Sequence, residues 1–174
     1  MRLQYVQPQL YYMQTHMMQA HANLMPVSSL DDDVLAAWRG FLNAHAQITR
    51  RISRDLAAAG LPDLSWYDVL WALYRQPERR LRVTELAREV VLSPTGMSRL
   101  VDRVEAAGCV RREPDPADRR ALQVVLTDAG EELLRRMWPV YAKGLEEHFA
   151  PFLGRSSQRT RATFERMAAS ARSD

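Results

Sequence analysis

The chain has 174 residues, of which 47% are hydrophobic and 26% are charged, and its net charge is +3. This composition is typical of one globular domain with a core, and it permits nucleic-acid binding without arguing strongly for it. We find no apolar run of about 18 residues that could span a membrane and no secretory leader. The single cysteine excludes an internal disulfide and fits a reducing cytoplasm, where we expect the protein to act.

Residues 1–27 form a separate compositional block, which holds five of the eight methionines. Three interpretations remain open for this N-terminal extension. It is a disordered tail, or an accessory helix over residues 9–24, or upstream sequence that precedes a native start at Met25. His16 and His21 are five residues apart and so do not form the i, i+4 pair that places two ligands on one helix face, and we predict no metal site there.

Residues 31–59 predict a long first helix that begins with three aspartates and ends before Gly60. Acidic residues at the start of a helix cap it and favour its dipole. A near-heptad apolar stripe runs along it through Val34, Trp38, Phe41, His45, Ile48 and Ile52. A helix of this length with such a stripe requires a partner helix.

A second helix is predicted from Ser65, which is the expected N-cap, to a stop before Pro77. Asp68 stands three residues after Ser65, where it could complete a capping box. The loop 75–82 that follows is basic, and we expect it to be solvated or to lie near phosphate.

Two short helices then follow across a tight turn, an arrangement typical of a helix-turn-helix. Thr84 is the expected cap of the first of them. Ser93 is the expected N-cap of the second, and Pro94 occupies the first helical position, where a missing N–H is tolerated. The inner face of the second helix is predicted to contain Met97, Leu100, Val101 and Val104.

The opposite face of this second helix carries small, hydroxyl-bearing and cationic side chains. Small residues allow close approach to DNA, and hydroxyl and guanidinium groups reach base edges and phosphates in the major groove. We therefore predict a DNA-contacting set on this helix of Ser93, Pro94, Thr95, Gly96, Ser98, Arg99 and Arg103.

Residues 110–113 and 121–126 predict two antiparallel strands joined by a polar, proline-containing loop. Such a hairpin would project as a wing. Arg119 and Arg120 at its tip could enter a narrow minor groove, and Asp118 could hold the guanidinium of Arg120 by a charge-assisted hydrogen bond.

The run LSPTGMSRLVDRVEAAGCVRREPDPADRRALQVVLTDAG at residues 92–130 resembles the MarR family of bacterial transcriptional regulators. The D-x-R of the wing, Asp118 and Arg120, is the most diagnostic part, and the resemblance extends from about residue 31 to the C-terminus. It implies a homodimeric winged helix-turn-helix protein, usually a repressor, that binds pseudo-palindromic operator DNA and often releases it when a small ligand binds.

After the wing, a long helix over about 127–149 with Pro139 inside it and a last helix with Phe164 and Met167 facing inward are predicted. The expected fold is mainly α (α+β), a winged helix-turn-helix with a helical dimerisation bundle. Its expected boundaries are an extension at 1–27 and one domain at 28–174, with a winged lobe at 62–126 and dimerisation helices at 31–60 and 127–170.

The family resemblance implies an effector site between the dimerisation helices and the winged lobe. The first two helices supply aromatic and polar side chains of the kind that suit a flat organic anion or phenol, and a wing arginine could add a cation. The candidate ligand-binding residues are Trp38, His45, Trp66, Tyr67, Asp68 and Arg111. Core or dimer packing is the alternative interpretation of the aromatic ones.

Two alternatives to a ligand-responsive regulator remain. The winged module could serve protein–protein contact instead of DNA binding, or Cys109 could act as a thiol sensor, although a small buried cysteine is the simpler interpretation. The sequence contains no nucleophile elbow, phosphate-binding glycine loop, zinc-ligand spacing or carboxylate pair, so we expect neither an enzyme nor a cofactor.

Overall fold

The computed structural model describes residues 30–90, 93–116, 118 and 121–171. Six helices occur in this part of the chain: α1 (Asp32–Ala58), α2 (Leu64–Tyr74), α3 (Val83–Glu89), α4 (Pro94–Ala106), α5 (Asp128–His148) and α6 (Ser157–Ser170). Three strands are interspersed with them: β1 (Arg80–Arg82), β2 (Val110–Pro114) and β3 (Leu122–Leu126). Two short 3-10 turns, Ala150–Phe152 and Gly154–Ser156, join α5 to α6. The predicted mainly α winged helix-turn-helix fold is confirmed.

The chain divides into two compact units within α1, after Leu42. The described part of the N-terminal unit is the start of α1, where the Oδ1 atom of Asp31 accepts a hydrogen bond from the N–H of Asp33 at 2.8 Å. Its large apolar side chains are exposed at Leu30, Val34, Trp38, Phe41 and Leu42, and Leu35 is half-buried. The rings of Trp38 and Phe41 stack at a centroid distance of 5.8 Å.

The second unit, residues 43–171, holds the hydrophobic core. α1 contributes Ile52 and Leu56 to it, and α5 contributes Leu133, Leu134 and Met137. The inner faces of α2, α3 and α4 close the core together with the sheet. A Cβ added at Gly144 of α5 would press on the side chain of Ile52, and this glycine therefore allows α5 to approach α1 closely.

The sheet is antiparallel with the strand order β1-β3-β2. β2 pairs with β3 along its whole length, from Val110 opposite Leu126 to Pro114 opposite Leu122, as the sequence predicted. β1 was not predicted: Arg80–Arg82 lies in what was expected to be a basic loop, and it pairs with the outer side of β3. Three residues are too few to show a strand period, so only the tertiary pairing makes this segment a strand.

Two predicted helix caps are wrong. Asp63 caps α2, because its Oδ1 accepts from the N–H of Ser65 at 2.9 Å, and Asp68 lies one turn inside the helix. Likewise α3 begins before Thr84, and the carboxylate of Glu85 accepts from the N–H of Arg82 at 2.9 Å. In both cases an acidic side chain beside the expected residue satisfies the free N–H groups instead.

Phe164 and Met167, which were predicted to face inward in the dimerisation bundle, are not buried within one chain. Both side chains are exposed, at 38% and 48%, and α6 contains no buried residue. The amphipathic pattern of α6 is therefore not satisfied within the described residues of one chain. In contrast, Thr127 caps α5 as predicted, since its hydroxyl oxygen accepts from the N–H of Gly130 at 3.1 Å.

Candidate nucleic-acid interface and aromatic cleft

α4 is anchored in the core by the four apolar residues that the sequence predicted. Met97, Leu100, Val101 and Val104 are each at most 2% exposed. The hydroxyl oxygen of Ser93 caps the helix by accepting from the N–H of Gly96 at 3.1 Å, and Pro94 occupies the first position. Gly108 follows the helix with a φ of +73°, the left-handed conformation expected after a helix end.

Because the buried stripe fixes the rotation of α4, its opposite face points to solvent. Thr95, Ser98, Arg99 and Arg103 are all exposed on this face, and Gly96 is half-buried behind the cap. This surface offers the hydroxyl groups of Thr95 and Ser98 and the guanidinium of Arg99 near the helix N-terminus, whose free N–H groups favour phosphate, while Arg103 lies in the last turn of the helix. The connection 91–92 and the side chain of Pro94 lie outside the described residues.

The base of the wing is well defined, whereas its arginine tip lies outside the described residues. The N–H of Asp115 donates to the carbonyl of Ala121 at 3.0 Å, and the N–H of Ala121 donates to the carbonyl of Asp118 at 2.9 Å. Asp118 is exposed. Arg119 and Arg120, the two residues predicted to enter the minor groove, are not among the described positions, so their role stays a prediction.

An unpredicted arginine connects α4 to the wing. The N–H of Arg112 on β2 donates to the Oε1 of Glu105 at 2.7 Å, and its guanidinium pairs with Glu105 and with Asp102 at 2.6 Å. Both carboxylates belong to α4. Arg112 therefore ties the end of α4 to the first wing strand, a contact between two elements that no local motif indicates.

An open cleft of about 260 Å³ lies between α2 and α5. Its walls are aromatic: Trp71 and Trp138 are 6.5 Å apart between ring centroids and inclined by only 14°. The remaining lining residues are Tyr67, Tyr74, Leu134, Glu131 and Arg135. Glu131 pairs with both Arg135 and Arg79, and the guanidinium of Arg79 lies 5.1 Å from the centroid of the Tyr74 ring.

Asp68 follows Tyr67, which lines the cleft, and its setting disfavours its charge. Burial and the neighbouring Asp63 together raise the pKa of Asp68 to about 6, although His45 on α1 acts to lower it. Burial, with Tyr141 and Asp68 nearby, raises the pKa of Tyr67 to about 12. The Tyr67 and Tyr141 rings stack at 4.3 Å between centroids. The phenol groups are therefore protonated donors at neutral pH, beside a carboxyl group that titrates at mildly acidic pH.

The structure brings together only part of the predicted ligand-binding set. His45, Tyr67 and Asp68 are neighbours, and Trp66 packs against the core. Trp38 belongs to the N-terminal unit. The guanidinium of Arg111 on β2 pairs with Glu113 at 2.6 Å. Trp71 and Trp138, which are not in the predicted set, line the cleft.

Cys109 is buried, as the sequence favoured. Its side chain is 6% exposed, and burial raises the pKa of the thiol. A thiol rather than a reactive thiolate is therefore present at neutral pH. Among the described residues no group of three or more His, Cys, Asp or Glu side chains could hold a metal ion. None of the described helices is long and apolar enough to cross a membrane.

The helix pair α3–α4 and the hairpin β2–β3 together define a winged helix-turn-helix protein. Residues 59–121 match the sequence profile of the MarR family. The transcriptional regulator HosA of Escherichia coli O111:H- is 36% identical over 99 residues, which cover 56% of this chain and 69% of HosA.

Two solved structures from Streptomyces coelicolor have the same fold. Sco3205, a MarR family transcriptional regulator solved in complex with DNA, is 31% identical with a TM-score of 0.74, over 86% of this chain and 93% of that one. AbsC, also a MarR family transcriptional regulator, is 29% identical with a TM-score of 0.74, over 85% of this chain and 100% of that one. The chain belongs to the MarR family and is a transcriptional regulator of that type.

Proposed function

We propose that the protein is a homodimeric repressor that binds a pseudo-palindromic operator, with α4 in the major groove and the wing in the adjacent minor groove. The observation that carries the proposal is the exposed face of α4, which combines Thr95, Ser98, Arg99 and Arg103 on a helix that its buried side holds rigidly. The 31% identical Sco3205, which was solved with DNA, supports the same use of this fold.

The predicted division of the chain is part of this proposal. Residues 62–126 form the DNA-binding lobe, residues 31–60 and 127–170 form the dimerisation helices, and residues 1–27 are an extension. Exposed apolar side chains at both ends of the described chain support dimerisation. Trp38 on α1 is 52% exposed, and Phe152 and Met167 near the C-terminus are 83% and 48% exposed. Burial of such side chains against a second copy is favourable.

Two identical modules would read two half-sites about one helical turn apart. Binding of the first module makes binding of the second effectively intramolecular, which raises the affinity for a correctly spaced site. A repressor with this geometry occupies one face of a promoter. Its affinity should fall steeply with salt, because the arginines release counterions from the phosphates.

Arg99→Ala and Arg120→Ala test the DNA contacts. Each is expected to weaken binding to the protein's own promoter region by at least about tenfold, because each removes a guanidinium from a groove or a phosphate. Fluorescence anisotropy measures the affinity, and light scattering checks that the mass remains that of a dimer. Lys143→Ala is the control, since this exposed lysine pairs only along α5 with Glu147. Unchanged affinity in both arginine variants would favour the alternative, a module for protein contact.

We further propose that the protein responds to a flat aromatic ligand. The ligand would bind in the aromatic cleft at Tyr67, the residue of the predicted set that lines it, with Asp68 and His45 as neighbours of that residue. The nearly parallel Trp71 and Trp138 rings and the neighbouring tyrosines support this class of ligand, because aromatic rings prefer offset stacking at such distances.

Tryptophan fluorescence tests this ligand class. Titration with benzoate is expected to quench the emission saturably and to weaken operator binding, whereas cyclohexanecarboxylate, which has the same charge but no aromatic ring, should do neither. Trp71→Leu should abolish the saturable phase while DNA binding without ligand persists. Equal responses to the two acids, or strictly linear quenching by benzoate, would contradict an aromatic site.

A further inference from the structure

Asp115 is the one charged side chain that is fully buried among the described residues, at 3% exposure. It follows β2 directly, at the point where the wing loop leaves the sheet. Its Oδ2 atom accepts hydrogen bonds from the Nε of Arg82 at 2.6 Å and from the Nε2 of Gln123 at 3.1 Å. Its backbone N–H donates to the carbonyl of Ala121, so the residue also joins the two ends of the loop.

Arg82 reaches Asp115 from a different part of the fold. It is the last residue of β1 and the N-cap residue of α3, and its N–H is held by the carboxylate of Glu85. Its strand partner on β3 is Gln123, the second donor to Asp115. The three side chains therefore connect the first helix of the helix-turn-helix, the central strand and the base of the wing.

The chemistry of the Arg82–Asp115 pair restricts the orientation in which these elements are joined. A buried carboxylate is costly unless charged and hydrogen-bonding partners surround it. A guanidinium is planar and donates from N–H groups in a fixed fork, so it binds a carboxylate in only a few orientations. The hydrogen bond to Asp115 and the negative charge of that carboxylate raise the pKa of Arg82, so the guanidinium stays charged.

We propose that Arg82 and Asp115 are positioning residues for DNA binding. Their ion pair sets the direction in which the wing leaves the sheet relative to α3 and α4, and thus the spacing between the major-groove and minor-groove contacts. Arg112, the middle residue of β2, is tied to α4 through Glu105 and Asp102. The wing would then be held at two points, in the middle of β2 and directly after its end. This inference rests on the proposed function, because both contacts must belong to one operator complex.

Asp115→Asn tests the proposal in the full-length chain. The amide keeps the size of the side chain and can still accept from Gln123, but the ion pair is lost. Operator affinity should fall about tenfold. In hydroxyl-radical footprinting, the minor groove that flanks each half-site should no longer be protected. Protection of guanine N7 atoms from methylation in the major groove should persist, since α4 keeps its own core contacts.

Arg82→Lys and a double-mutant cycle complete the test. Lysine keeps the charge without the planar fork, so an affinity between those of wild type and Arg82→Ala is expected. The Arg82→Ala and Asp115→Ala double variant should bind no more weakly than the worse single variant, because the two residues act as one unit. The Lys143→Ala variant breaks an exposed ion pair within α5 and should leave the footprint unchanged.

Two results would overturn the proposal. One is wild-type affinity in Asp115→Asn. The other is an equal loss of major-groove and minor-groove protection, together with a lower unfolding temperature in all variants, which would show that the pair only stabilises the fold. A wild-type chain that protects no DNA would instead contradict the proposed function itself, so the two failures are distinguishable.

Discussion

Asp68 is the residue whose environment differs most from what its sequence position indicates. It stands three residues after Ser65 and close to the start of a helix, which is the sequence pattern of an exposed carboxylate in a capping box. The structure places it within α2, where burial raises its pKa to about 6. Asp63 occupies the cap position instead. A carboxyl group that titrates near pH 6 beside His45 and two tyrosines is chemically suited to a ligand contact.

Asp68→Asn should stabilise the protein at pH 8 but not near pH 4. The pKa of Asp68 is higher in the folded state than its usual value near 3.9, so the unfolded chain binds fewer protons between about pH 4 and 6. Stability therefore falls as the pH rises through this window, and the penalty is fully present above it. Removing the charge should recover on the order of 1–3 kcal/mol at pH 8.

Urea unfolding at one fixed protein concentration measures this difference. Asp118→Asn is a suitable control, because that carboxylate is exposed and no comparable gain is expected. An Asp68→Asn variant that is no more stable than wild type at pH 8 would show that the folded protein does not disfavour the charge of Asp68.

At the scale of the element, α4 is the best predicted part of the chain. Its cap at Ser93, its proline start and its four buried apolar residues all follow local rules that operate within about one or two helical turns. α2 and α3 were also predicted as helices, but their caps were wrong, because Asp63 and Glu85 compete with the expected serine and threonine. Several polar residues near a helix start can satisfy the same N–H groups, and local sequence does not decide among them.

Ser93→Ala should destabilise the protein by about 1 kcal/mol, because the N–H of Gly96 loses its side-chain acceptor. Thermal and urea unfolding would detect the change. Ser98→Ala is the matched control: Ser98 is exposed inside the same helix, so this variant should keep wild-type stability while weakening operator binding. Equal stability of the two variants would mean that the Ser93 cap contributes little to the fold.

At the scale of the whole molecule, the exposed apolar surface is the main feature that one chain leaves unexplained. Apolar stripes run along the start of α1 and along α6. Among the described residues, none before Ile52 is buried, and after Met137 only Gly144 is buried. Long amphipathic helices of this kind are stable when a second helix covers them. The proposed dimer would provide that cover at both ends of the chain.

A chain that begins at Met25 should still fold and dimerise. The described core lies within residues 43–171, and every side chain that is buried among the described residues belongs to this range. Sedimentation and thermal unfolding would compare the shortened and full-length chains. A shortened chain that aggregates or becomes monomeric would show that residues 1–24 contribute to the dimer, and would support the interpretation of this segment as an accessory helix.

The sequence by itself determined the helix-turn-helix, the two wing strands, Thr127 as a helix cap and the buried state of Cys109. These features depend on neighbours within a few residues, where periodicity and capping rules apply. The D-x-R motif and the residues around α4 were also sufficient to indicate the family.

Only the tertiary structure decided the remaining features. β1 exists because β3 lies beside it, and the pairs Arg82–Asp115 and Arg112–Glu105 join residues that no sequence period relates. The aromatic cleft likewise collects Trp71 from α2 and Trp138 from α5. Hydrophobic burial fixes which face of each helix turns inward, but partners that are distant in the chain meet only when the whole core has packed.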